Sequence, residues 1–162
     1  MRKPVIGVIG GGGHASPAAI AWAEQLGRAI AAQGWVLLTG GRNAGVMDAA
    51  SRGAHDGGGL VIGVLPGSDS AHVSDAVDVA IITGLGNARN SVNVLSSDVV
   101  IACGETSAGT LSEIALAVKA GKPVVLLSTD EEARRFLQRI GNGGVHLSSS
   151  PADAVEQARA LL

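Results

Sequence analysis

SDVVIACGETSAGTLSEIALAVKA, residues 97–120, reads as a buried strand, a turn of small residues and a helix. Val99 to Cys103 is a continuous apolar run without polar alternation, the pattern of a parallel strand covered by helices on both faces. Gly104 to Gly109 follows with Thr106, Ser107 and Ala108, so backbone can approach a ligand closely and present amide hydrogens. Thr110 is expected to open the helix, whose first-turn amides and positive dipole end favour an anion. By itself such a turn equally suits a tight connection that binds nothing.

The same unit recurs along the chain. Val5 to Ile9 runs into Gly10 to Gly13, and Ser16 with Pro17 begins a helix that ends near Gly34. Trp35 to Thr39 runs into GGRNAGVMD, with a helix from about Gly45 to His55. Leu60 to Leu65 and Val77 to Ile82 are further strands, the second ending in TGLGNARN with Arg89 at the start of a helix. Val124 to Leu127, a helix Glu131 to Ile140 capped by Asp130, a short strand Val145 to Leu147 and a helix Ala152 to Leu162 complete the chain. The order predicts one doubly wound, mostly parallel α/β domain over residues 1–162, Rossmann-like, with a sheet of about seven strands. Carboxyl ends of parallel strands share one sheet edge, so the turns at Gly10, Gly40, Gly84 and Gly104 converge on one crevice.

Composition narrows the function. The chain has 162 residues, 46% hydrophobic and 16% charged, with 24 glycines, which excludes disorder and favours a compact sheet with close turns. A formal charge of −2 and only three aromatic residues, Trp22, Trp35 and Phe136, argue against a nucleic-acid partner, which needs a cationic face or stacking rings. No run of eighteen apolar residues is present, so no membrane span is expected. MRKPVIGVIG lacks a long hydrophobic region before a cleavage site, and the cytoplasm is the expected compartment. Cys103 is expected to be a buried, inert thiol. His14, His55, His72 and His146 are scattered, so no metal site is expected. The acid that ends the second strand of an NAD-binding unit is replaced by Thr39 and Gly40, so NAD is not expected.

Any anion site is therefore local. The candidates are Gly11 and Gly12, then Gly40, Gly41, Arg42, Asn43 and Gly45, then Arg89 and Asn90, then Ser107, Gly109 and Thr110. Arg42 is either a solvated loop charge or a fork of donors for phosphate or carboxylate. Glu113 is expected in the first helical turn, as a cap or as a pocket acid, with Asp48 the candidate second carboxylate. Ser68 to Ser74 is either a flexible lip over the pocket or a loop without a role.

LTGGRNAGVMDAASRGA, TGLGNARN and AGTLSEIALAVKAGKPV together resemble the Rossmann-like superfamily that includes molybdenum-cofactor carrier proteins and the LOG proteins. The resemblance spans Val5 to about Leu127. LOG phosphoribohydrolases use a PGGxGTxxE motif and an upstream arginine to release free base and ribose 5-phosphate from a nucleoside monophosphate. GTxxE is present as Gly109 to Glu113 and Arg89 matches the arginine, but Glu105, Thr106 and Ser107 stand where PGG would be. GGRxxGVMD is similar to the carrier branch. The resemblance implies a carrier of a phosphorylated small molecule, molybdenum cofactor as cargo, in a homodimer or homotetramer. The alternative it implies is a LOG-type hydrolase with Arg89 and Glu113 catalytic. On that alternative Glu105 must turn its charge away from the phosphate, or the ligand pose must differ.

Overall fold

The computed structural model describes residues 1–128 and 130–162. Strands β1 (Val5–Gly10), β2 (Val36–Thr39), β3 (Leu60–Leu65), β4 (Val79–Ile82), β5 (Val99–Cys103), β6 (Val124–Leu127) and β7 (Val145–Ser148) form one sheet in the order β4-β3-β2-β1-β5-β6-β7. Every pairing is parallel, so the sheet is wholly rather than mostly parallel. The helices are α1 (Pro17–Ala32), α2 (Gly45–Asp56), α3 (Arg89–Ser96), α4 (Ala108–Lys119), α5 (Glu131–Gly141) and α6 (Pro151–Leu161).

The apolar run of β5 divides between two cores. Val99, Ile101 and Cys103 pack under α1, α2 and α6, whereas Val100 and Ala102 pack under α3, α4 and α5. Both faces of the central strand are thus filled, which is why its sequence lacks alternation. Two small residues set how closely α1 and α2 lie. A side chain on Gly27 would strike the carbonyl of Ala50, and one on Gly53 would strike that of Glu24.

Ser16, Asp130 and Ser150 cap α1, α5 and α6 as their sequence positions predict. Four strand boundaries differ from expectation: β2 begins at Val36, not Trp35, and β4 at Val79, not Val77, while β1 and β7 each run one residue further, to Gly10 and Ser148. The Asp78 carboxylate accepts the Val61 N–H at 2.8 Å, so a side chain stands in for the ladder before β4 begins. From β1 the chain winds outward to β4 and then returns to lay β5 on the other side of β1. Connections leaving β1 and β5 diverge there, which opens a crevice at their carboxyl ends.

Candidate functional site

Two glycine turns meet first. The Val46 N–H donates to Gly11 O at 2.9 Å and the Ala15 N–H to Gly12 O at 3.0 Å. Gly45, at φ +56°, lies so close to the Gly11 and Gly12 carbonyls that a Cβ has no room. Gly11, Gly12 and Gly45 therefore join the two turns into one floor. Within the second turn, Gly41 donates its N–H to Thr39 Oγ1 at 3.0 Å, and Asn43 donates its own to His72 O at 2.8 Å. Those two amides are spent on the fold.

The Asn43 bond fastens the 68–74 segment in place, together with the Ser74 N–H on Gly41 O at 2.9 Å and a bridge between Arg42 and Val73. Buried Ser74 adds a hydroxyl bond to Asp48 Oδ1 at 2.7 Å, and Asp48 also pairs with Arg52 at 2.9 Å. Of the two readings of the 68–74 segment, a loose lip is excluded at its 72–74 end, which is strapped to the arginine turn. Asp48, the candidate second carboxylate, is committed to that strap and to Arg52.

Arg89 begins α3 and lays its guanidinium against Gly40, whose absent Cβ would stand 2.8 Å from Nη1 and 3.0 Å from Nη2. The group is half-buried. Nη1 donates to Asn90 Oδ1 at 3.2 Å, and buried Nε has no acceptor. Among the described residues, neither Arg89 nor Arg42 has a carboxylate within ion-pair distance. Burial pushes the Arg89 pKa down, Arg42 pushes it further, and only Glu113 opposes them. Arg42 is exposed and lines a cleft of about 240 Å³ with Pro66, Asp69 and His72. Two guanidinium groups are thus held near enough to repel each other.

The α4 end differs from the sequence expectation. Ser107, not Thr110, caps the helix: its Oγ accepts the Thr110 N–H at 3.2 Å, and the two hydroxyls are 3.0 Å apart. Thr110 is buried and serves the cap, which leaves the first amides, those of Ala108 and Gly109, without intrahelical acceptors. Asn90 ties α3 to this turn, donating from Nδ2 to Ser112 Oγ at 3.0 Å, and Ser112 donates to Gly109 O at 2.7 Å.

With the helix starting at Ala108, Glu113 falls in the second turn, so the expected first-turn cap is corrected. Its side chain is buried, 7% exposed, and accepts a bond from Asn93 Nδ2 at 2.9 Å. Burial raises its pKa, against the opposing pull of Asn93 and Arg89. Glu105 turns to the start of α1, where the Ser16 N–H reaches its carboxylate at 3.5 Å and bonds from Ser16 lower its pKa. Its charge is therefore directed away from the α4 amides.

The crevice thus gathers the turns after β1, β2 and β5 and the start of α3. Sequence reasoning missed Asn93, which is 2% exposed, and Ser74. A polar residue four positions after Arg89, flanked by valine, was the available signal for Asn93. A concavity of about 890 Å³ lies elsewhere, between Leu111 of α4 and Arg135 and Phe136 of α5. Among the described residues, no three His, Cys, Asp or Glu side chains gather as a metal site, and no helix is long and apolar enough to cross a membrane.

Residues 3–155 match the SLOG cluster4 family. The chain superposes on the molybdenum cofactor binding protein from Rippkaea orientalis with TM-score 0.97 and 55% identity, covering 99% of this chain and 98% of that one. It superposes on the molybdenum cofactor carrier protein from Chlamydomonas reinhardtii with TM-score 0.94 and 48% identity, at the same coverage. An uncharacterised protein from Archaeoglobus fulgidus is 42% identical over 127 residues, which is 78% of this chain and 82% of that one. With residues 3–155 of its 162 matched by the family pattern, the chain belongs to the SLOG cluster4 family.

Proposed function

We propose that this chain is a carrier that holds molybdenum cofactor, a pterin monophosphate, through its phosphate. The observation that carries the reading is the pair of guanidiniums, Arg89 half-buried against Gly40 and Arg42 close enough to act on its charge, neither with a carboxylate in ion-pair distance among the described residues. A half-buried cation without a counter-ion costs folding free energy, and a phosphate arriving between the two groups recovers it. The open amides of Ala108 and Gly109 at the α4 terminus supply further donors to the same charge. The cofactor-binding proteins from Rippkaea orientalis and Chlamydomonas reinhardtii, at 55% and 48% identity, support molybdenum cofactor as the cargo.

Two features favour holding over the LOG-type hydrolysis. Glu113 is bonded to Asn93 and buried, and Asp48 is committed to Ser74 and Arg52, so the two candidate carboxylates are engaged elsewhere rather than paired to activate water. Homo-oligomerisation and a cytoplasmic setting belong to the same proposal.

The test is anaerobic incubation with released cofactor, followed by exposure to air. The protein is expected to prolong cofactor survival, and Arg89→Ala is expected to abolish that protection. In parallel, AMP and cytokinin monophosphates are expected to release no free base. Base release that disappears in Glu113→Ala, without any cofactor protection, overturns the carrier reading.

A further inference from the structure

Two polar groups on α3 are left incomplete among the described residues. Arg89 Nε is buried without an acceptor, and Asn93 Oδ1 is buried without a donor. Glu113, only 7% exposed, takes its hydrogen bond from Asn93 Nδ2 at 2.9 Å and not from the arginine. Arg89 and Asn93 stand four residues apart on α3 and so share one side of that helix, to which α4 brings Glu113. The strands beneath α4, β1, β5 and β6, carry one titratable side chain, Cys103, and it belongs to the opposite core. Arg89 is the cation that acts on Glu113, and Arg42 acts in turn on Arg89. A buried carboxyl beside a guanidinium without a counter-ion gains by closing onto it, because each charge offsets the burial of the other. Here that pair has not formed.

We propose that Asn93 is the positioning residue that holds Glu113 off Arg89 and so keeps the guanidinium open to an anion. The role of the anion rests on the carrier reading above; the hold on Glu113 does not. The Asn93 backbone carbonyl accepts the Ser97 hydroxyl at 2.8 Å, a bond any residue at this position would make. Its side chain makes one bond, to Glu113, and leaves Oδ1 unpaired. Packing by itself would favour an apolar residue at a position 2% exposed, since a buried carbonyl oxygen without a donor costs stability. What the amide supplies is a donor without charge. It occupies the carboxyl, and Arg89 is left without a neutralising partner.

Removing that donor tests the assignment. In Asn93→Leu and, without added bulk, in Asn93→Ala, Glu113 is expected to pair with Arg89. Thermal unfolding of the ligand-free protein at neutral pH reads the pairing. Adding Glu113→Gln is expected to raise Tm in the wild type, where it removes a buried carboxyl, and to lower Tm in either Asn93 variant, where it breaks the new ion pair. Retention of released molybdenum cofactor in anaerobic dialysis reads the consequence. Each Asn93 variant is expected to bind roughly tenfold more weakly, the loss of one charge-assisted bond, and adding Glu113→Gln is expected to restore wild-type retention. A merely structural role for Asn93 gives no such rescue.

The proposal is overturned if Glu113→Gln shifts Tm in the same direction in every background. It is overturned equally if the Asn93 variants retain cofactor as well as a cofactor-binding wild type, or if their weakness persists once Glu113→Gln is added. A wild type that retains no cofactor, with the reversal in Tm observed, sinks the carrier reading and leaves the hold of Asn93 on Glu113 standing.

Discussion

Gly40→Ala tests whether the position of one guanidinium governs ligand binding. A Cβ at residue 40 would stand 2.6 Å from Met47 Sδ, 2.8 Å from Arg89 Nη1 and 3.0 Å from Nη2. Comfortable non-bonded contact begins near ~3.5 Å, so the guanidinium must retreat by roughly 0.5 to 0.7 Å or swing aside. Both obstacles are ends of flexible side chains, and residue 40 is outside the left-handed region, so the fold loses no more than about 1.5 kcal/mol. A hydrogen bond to a charged group contributes about 1.5–3 kcal/mol, and about 1.4 kcal/mol is tenfold in affinity. Losing one such bond therefore weakens phosphate-ester binding roughly 10- to 100-fold. Anaerobic equilibrium dialysis against released cofactor, with retained molybdenum as the readout, measures that loss, and thermal unfolding measures stability. Gly45→Ala is the contrasting control: its Cβ runs into the Gly11 and Gly12 carbonyls at φ +56°, so it loses the fold itself. Wild-type affinity in Gly40→Ala, or collapse of its thermal transition, refutes the reasoning.

Three further outcomes follow from the geometry. Glu113→Gln removes a carboxyl whose pKa is raised by burial. Below its ordinary value of 4.5 the side chain is neutral in both states; as pH rises toward the raised value the native state resists ionisation and loses stability. The Gln variant is therefore expected to match wild type in acid and exceed it at neutral pH, and thermal unfolding across pH shows whether the gap opens. Gly53→Ala gains about 1 kcal/mol of helix propensity, yet its Cβ strikes the Glu24 carbonyl across the α1–α2 contact. A net fall of several degrees in Tm is expected, and a rise contradicts the close-contact account. Cys103 is buried and its thiol is pushed up to about 12; it is expected to resist alkylation at pH 8 until denaturant is added, and fast labelling of the native protein sinks that expectation.

What the sequence made legible was local. The continuous apolar run of Val99–Cys103, the hydroxyl or carboxylate caps at Ser16, Asp130 and Ser150, and the glycine turns each depend on residues within a few positions of one another. Errors arose where a neighbour in space decided between local options. Ser107 and Thr110 are both hydroxylated and three residues apart, and either could start a helix. The Ser107 hydroxyl takes the Thr110 amide, and the Thr110 side chain turns inward onto it. Glu113 then moves out of the first turn and meets Asn93, twenty positions away, a contact with no local signal. Asp48 looked available because Ser74 is twenty-six positions further on. The meeting of the turns after β1, β2 and β5 was legible from topology, whereas the expected fourth turn, at Gly84, binds back to Gly67 instead, and the placement of Arg89 against Gly40 depends on how α3 docks.

The distribution of charge around Arg89 argues for a site that waits for its ligand. An arginine serving only stability would sit beside a carboxylate, and Glu113 is near enough to influence Arg89 without pairing with it. Glu113 instead takes its bond from Asn93, and its own burial favours the neutral acid, which weakens its hold on the guanidinium. Arg42 adds repulsion, Glu105 is drawn away to α1, and Asp48 is held by Ser74 and Arg52. Glu113, Glu105 and Asp48 are thus buried, displaced or already paired, and none of the three forms an ion pair with either guanidinium. On the carrier reading proposed above, a dianion would offset the Arg42–Arg89 repulsion and accept from both guanidiniums and the α4 amides together, so its binding energy would be concentrated where the phosphate sits. Stabilisation of the protein by inorganic phosphate, but not by chloride at equal ionic strength, is the thermal signature of that arrangement, and its absence in Arg89→Ala places it at this crevice.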